Sequence, residues 1–109
     1  MTNIPEYHCC DYNKITEIIT LCQASDLFKE VLEYGFYANK GYAIKSQPNI
    51  ILILRLDHIS NHGFCWAKYA FPKYGYHYYD YLNTEEVLSI LNKEARKVIL
   101  NNLDLFTWG

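Results

Sequence analysis

The chain has 109 residues, a length that fits one domain and leaves no room for two. Half of the residues are apolar, a fifth are charged, and the net charge is −2. That composition is too hydrophobic for a disordered acidic segment and too poor in Lys and Arg for phosphate-driven nucleic-acid binding.

Residues 1–34 hold Glu6, Asp11, Glu17, Asp26, Glu30 and Glu33 against two lysines, so an acidic face should involve the N-terminal part. The opening MTNIPEYHCCDY carries acids, no Lys or Arg, and no apolar run of signal-peptide length. The longest apolar stretch, Ile50 to Leu54, is far short of the roughly 20 residues of a membrane span. The chain therefore reads as cytoplasmic, with Cys9, Cys10, Cys22 and Cys65 as free thiols in a reducing compartment.

Ile15, Ile18, Ile19 and Cys22 recur at helical spacing, with Asn13 placed to cap the helix. Ser25 or Asp26 looks like a second cap, before a helical stripe of Leu27, Phe28, Val31 and Leu32 that ends near Gly35. Two short helices and one kinked helix both fit. Residues 41–46 read as a short strand. Ile50–Leu56 is a nearly continuous aliphatic run, the pattern of a strand covered on both faces or sitting mid-sheet. Asp57 to Gly63 reads as a connection. Phe64–Phe71 is a strong strand, with Phe64, Trp66, Lys68 and Ala70 on one side and Cys65, Ala67, Tyr69 and Phe71 on the other. Pro72 to Gly75 turns the chain, and Tyr76–Leu82 is a further strand. Asn83 with Glu86 forms a capping-box-like pattern, with Thr84 as the alternative cap. Val87, Leu88, Leu91, Ala95, Val98 and Ile99 then follow at helical spacing as far as Asn101-Asn102. Leu103, Leu105, Phe106 and Trp108 are apolar enough to pack back as a short turn. The fold class is α+β: N-terminal helices, an antiparallel sheet of three to four strands in a meander, and a C-terminal helix packed on one face.

The sequence carries no recognisable catalytic motif. His58 and His62 have a zinc-like spacing, but no C-x2-C accompanies them, and the adjacent Cys9 and Cys10 do not readily ligate one ion. Neither a G-x-S-x-G nor a cysteine-protease signature is present. Cys22 and Cys65 fall on apolar patterns and read as small buried hydrophobes. The five glycines form no nucleotide-binding loop, and Glu85-Glu86 suits the positive end of a helix. The run Lys68 to Tyr74 interleaves bases with aromatics, as single-strand binders do, yet the positive charge is too small for that role. No metal or cofactor is called for, and the chain reads as a non-enzyme.

The excess is aromatic: 11 Tyr, 5 Phe and 2 Trp. In the last strand Tyr76 and Tyr78 share one side while His77, Tyr79 and Tyr81 share the other, so one set fills the core and the other lies on the outer face. Aromatic anchors beside Asp80, Glu85 and Glu86 match interface composition, although ordinary tyrosines on a half-wet sheet have the same pattern. The partner-binding residues expected are Tyr76, Tyr78, Tyr79, Asp80, Tyr81, Glu85 and Glu86.

The segment Glu94 to Phe106, EARKVILNNLDLF, with the capped helix before it, resembles the tail of small bacterial immunity proteins. These are cytosolic antitoxins paired with contact-dependent growth-inhibition toxins and related polymorphic toxins. The similarity covers about a quarter of the chain and carries over no functional residue. It implies a protein that binds the C-terminal domain of a cognate toxin, of nuclease type, and blocks its active site without touching nucleic acid or membrane. Two other classes fit the same sequence: a phage-encoded inhibitor of a host defence nuclease, and a small metal protein or enzyme using Cys9, Cys10, Cys65, His58 and His62. An uncovered aromatic sheet also suits a homodimer.

Overall fold

The structure, a computed structural model, describes residues 8–31, 39–56, 62–70 and 78–107. Its elements in order are β1 (His8–Cys9), α1 (Tyr12–Ala24), β2 (Phe28–Val31), β3 (Asn39–Ile44), β4 (Gln47–Leu56), β5 (His62–Ala70), β6 (Tyr78–Leu82), α2 (Thr84–Ile90) and α3 (Lys93–Asn101), closed by a 3-10 turn at Leu103–Phe106. The α+β class holds, but the antiparallel sheet has six strands rather than three or four. Strands β3 to β6 form the expected meander, and β2 extends it beyond β3. β4 occupies one edge of β5 from His62 to Lys68, which leaves β1 and β6 end to end on the other edge. β1 pairs His8 with Phe64 and Cys9 with Gly63, while β6 pairs from Leu82 with Trp66 to Tyr78 with Ala70.

Helix α1 is capped by Asp11, not Asn13: the Asp11 carboxylate accepts from the Lys14 N–H at 2.9 Å. The second N-terminal helix expected at residues 27–32 is strand β2. Ser25 takes an extended backbone that ends α1, and its hydroxyl accepts from the Leu27 N–H at 3.2 Å. Over four residues, buried Phe28 and half-buried Val31 fit helical spacing as well as a strand end. Pairing with β3, from Phe28–Ile44 to Val31–Gly41, decides between them. Gly41 belongs to that pairing, because a Cβ there would sit 3.1 Å from the Val31 Cγ2. Pro48 is tolerated in β4 because the β3–β4 register shifts after Ala43, next to the hairpin turn.

The single C-terminal helix expected is two helices. Leu91 adopts φ −72°, ψ 146°, and Asn92 restarts the helix by accepting from the Ala95 N–H at 2.9 Å. The β3–β4 turn holds this break open. Gln47 Nε2 donates to the Ile90 carbonyl at 2.8 Å, Gln47 Oε1 accepts from the Asn92 N–H at 2.7 Å, and Asn92 Nδ2 donates to Ser46 Oγ at 2.6 Å. Arg96 reaches back to donate to the Leu88 and Leu91 carbonyls, both at 2.9 Å, closing the C-terminus of α2. Asn92→Ala removes a cap and the Ser46 bond together. It is expected to lower unfolding free energy by about 1–2 kcal/mol, read as a lower urea midpoint at unchanged slope. The exposed Asn101→Ala serves as the near-neutral comparison.

The sheet buries both faces. On one, Tyr42, Ile44, Leu52, Leu54, Phe64 and Trp66 meet Ile15 and Ile18 of α1, Val87 of α2, Ala95 and Ile99 of α3, and Phe106. On the other, Ala43, Ile51, Ile53, Cys65 and Ala67 form a second cluster with Val31 and Tyr81 against it. β4 thus contributes Ile50–Leu54 to both, as its unbroken apolar run implies. Full burial of each such side chain is worth roughly 1.5–3 kcal/mol. No helix among the described residues is long and apolar enough to cross a membrane.

Candidate protein interface

β1 and β6 dock end to end. Both strands run along one edge of β5, with His8 opposite Phe64 and Leu82 opposite Trp66, so that Cys65 lies between their positions. After Leu82, Asn83 takes the chain out of the sheet. It caps α2 by accepting from the Glu86 N–H at 2.8 Å, while Glu86 Oε1 accepts from the Asn83 N–H at 3.1 Å. This reciprocal capping box turns the chain out of the sheet within one residue.

A cleft of about 550 Å3 opens where the two strand ends part. His8 and Asn83 flank it, Glu85 stands in its wall, and Leu88, Leu103 and Phe106 give it an apolar side. Beneath it lies an aromatic cluster. His8 tilts over Phe64 with ring centroids 5.3 Å apart, Phe64 meets Phe106 edge-on at 5.6 Å, and Phe106 meets Trp66 at 5.5 Å. The Thr84 hydroxyl, also lining the cleft, donates to the Phe106 carbonyl at 3.1 Å and ties α2 to the 3-10 turn.

The residues expected to bind a partner are placed unequally. Tyr76 lies outside the described residues. Tyr78, Tyr79 and Asp80 lie on β6, in register with Ala70, Tyr69 and Lys68. Among the described residues β6 pairs only with β5. Tyr81 is half-buried against the second core cluster, and burial, with Cys65 pushing the same way, raises its phenol above the ordinary value. Much of the Tyr81 ring therefore serves the fold. Glu86 is engaged in the capping box. Glu85 is exposed and has no hydrogen bond or ion pair among the described residues. Sequence reasoning missed the cleft because it depends on β1, a two-residue strand with no periodicity to read.

Among the described residues, no group of three or more His, Cys, Asp or Glu is placed to hold a metal ion. His58 lies outside the described residues, and His62 opens β5 with its ring edge-on to Tyr12 at 5.2 Å. Cys65 is buried in the second cluster, and Cys22 is buried on the inner face of α1 with its thiol pushed up to about 12. Burial also raises Cys10, with Asp11 and Cys9 adding and Lys14 opposing. High thiol pKa values suppress the thiolate that nucleophilic catalysis needs. No protein-family model, curated protein or solved structure matches the chain.

Proposed function

We propose that this chain is an immunity protein that binds a cognate bacterial toxin domain of nuclease type and blocks its active site. One observation carries the reading: the unbroken run from Tyr78 to Glu86, in which a tyrosine-bearing strand passes directly into a helix whose first turn is acidic. Tyrosine anchors beside carboxylates are the composition of a binding hot spot. Carboxylates also complement the basic cleft in which a nuclease holds phosphate. The tail Glu94–Phe106, whose likeness to immunity proteins prompts the toxin assignment, forms α3 and the 3-10 turn beside that surface. In this reading the protein acts by occupancy. It turns nothing over, and protection saturates at one copy per toxin.

The test is affinity capture of the tagged full chain from its native cells, followed by mass spectrometry and by co-expression with whatever is captured. The expected result is a large exoprotein or its C-terminal fragment, near one-to-one, whose toxicity the chain suppresses. Tyr79→Ala combined with Glu85→Lys should weaken the complex by about 2 kcal/mol or more, the loss typical of a central anchor. Capture of a host defence nuclease would replace the toxin as target, and capture of no protein at any salt concentration would end the binding hypothesis.

A further inference from the structure

We infer that the cleft between β1, α2 and the 3-10 turn receives an arginine side chain of the partner, an inference that rests on the protein-binding reading above and names its point of attachment. The cleft's chemistry is one-sided. Its floor is apolar, with Leu88 and Leu103 half-buried and Phe106 beneath them. Among the described residues no Lys or Arg lines it.

The two hydroxyl donors of the cleft are already committed, and their oxygens remain as acceptors beside the Asn83 amide. The Thr84 hydroxyl gives its proton to the Phe106 carbonyl, and the Thr107 hydroxyl gives its proton to the Asp104 carbonyl at 3.4 Å. Both oxygens keep lone pairs. Of the two carboxylates in the first turn of α2, Glu86 is taken by the Asn83 N–H, while Glu85 lines the cleft without hydrogen bond or ion pair among the described residues. An occupant that pairs with Glu85 and the two hydroxyl oxygens brings several donors, one positive charge and an aliphatic stem. A guanidinium on three methylenes supplies all of these: five N–H donors in a planar fork, and a stem that lies along leucine side chains. An anion would meet Glu85, and a purely apolar group would bury that carboxylate unpaired.

The probe is N-acetyl-arginine methylamide, titrated into the isotope-labelled full chain and followed by amide chemical shifts. Saturable shifts at Glu85, Leu88, Leu103 and Thr107 are expected, with no response to the uncharged citrulline analogue. Glu85→Gln, an exposed substitution that leaves the fold intact, should weaken the fitted constant about three-fold, the factor an exposed ion pair provides. Absence of saturable shifts, an equal response to citrulline, or indifference to Glu85→Gln overturns the inference. The titration needs no partner, so its failure removes the arginine site alone, whereas failure to capture a toxin removes the functional reading.

Discussion

Phe106→Ala is expected to lower unfolding free energy by about 3–5 kcal/mol and to move the thermal midpoint down by more than about 12 °C. The ring is fully buried in the 3-10 turn and meets both Phe64 and Trp66. Truncation forfeits the transfer energy of the ring, two aromatic contacts of about 0.5–1.5 kcal/mol each, and the packing around the space left behind. That is a large share of the 5–15 kcal/mol typical of a whole domain. The backbone carbonyl of residue 106 still accepts from Thr84, so the substitution reports on the ring and not on the turn. Leu100→Ala is the comparison: 49% exposed on α3, it should change stability by under about 0.5 kcal/mol. Equal urea midpoints for the two variants would show that the 3-10 turn does not belong to the core.

Alkaline pH should destabilise the protein through Cys22. Burial holds its thiol at about 12, against 9.0 for the free group. In the unfolded chain the thiol ionises from pH 9 upward, while in the folded chain it stays protonated. The unfolded state therefore binds fewer protons across that window, and stability falls as pH rises through it. The contribution is fully present below pH 9 and is lost progressively towards 12. At pH near 10 the loss is on the order of 1 kcal/mol, one decade of proton linkage. Tyr42 adds in the same direction at higher pH. Burial raises its phenol, Glu30 and Cys22 push the same way, and Gln23 opposes. No side chain among the described residues meets hydrogen-bond geometry at the Tyr42 hydroxyl. Urea midpoints at neutral pH and near pH 10 check this: the wild-type midpoint should fall, and that of Cys22→Ala should fall less from a lower starting value. An equal fall in both would remove Cys22 as the cause.

Where the chain's periodicity was long, it read true. The run Ile50–Leu54 announced a strand buried on both faces, and the alternation through Phe64–Ala67 assigned each residue to the cluster it joins. The Asn83–Glu86 capping box was legible because it is written in three consecutive residue steps. What failed was short or held by distant groups. Phe28–Val31 has too few residues to separate a period of 3.6 from one of 2, and its identity comes from β3. The break at Leu91-Asn92 interrupts a stripe that continues in phase from Val87 to Ile99, and the residues enforcing it, Ser46 and Gln47, lie more than forty positions away. The capping asparagine was visible, but an Asn inside a helical stripe does not by itself announce a stop. The tyrosines of β6 were located as a strand. That Tyr81 is claimed by the second core cluster depended on its pairing with Ala67, which no local pattern contains.

The Lys14 ammonium donates to the carbonyls of Asp104 at 3.2 Å and Thr107 at 3.3 Å, clasping the first turn of α1 to the 3-10 turn across 90 and 93 residues of chain. The hairpins of the meander, by contrast, join neighbours. The entropy of closing a loop grows with its length, so the sheet can assemble from local pairings while the helical layer waits for the two ends to meet. In the folded chain the 3-10 turn carries Phe106, whose ring covers Phe64 and Trp66. Lys14 thus sits at the seam where the two ends of the chain close over the aromatic face of the sheet.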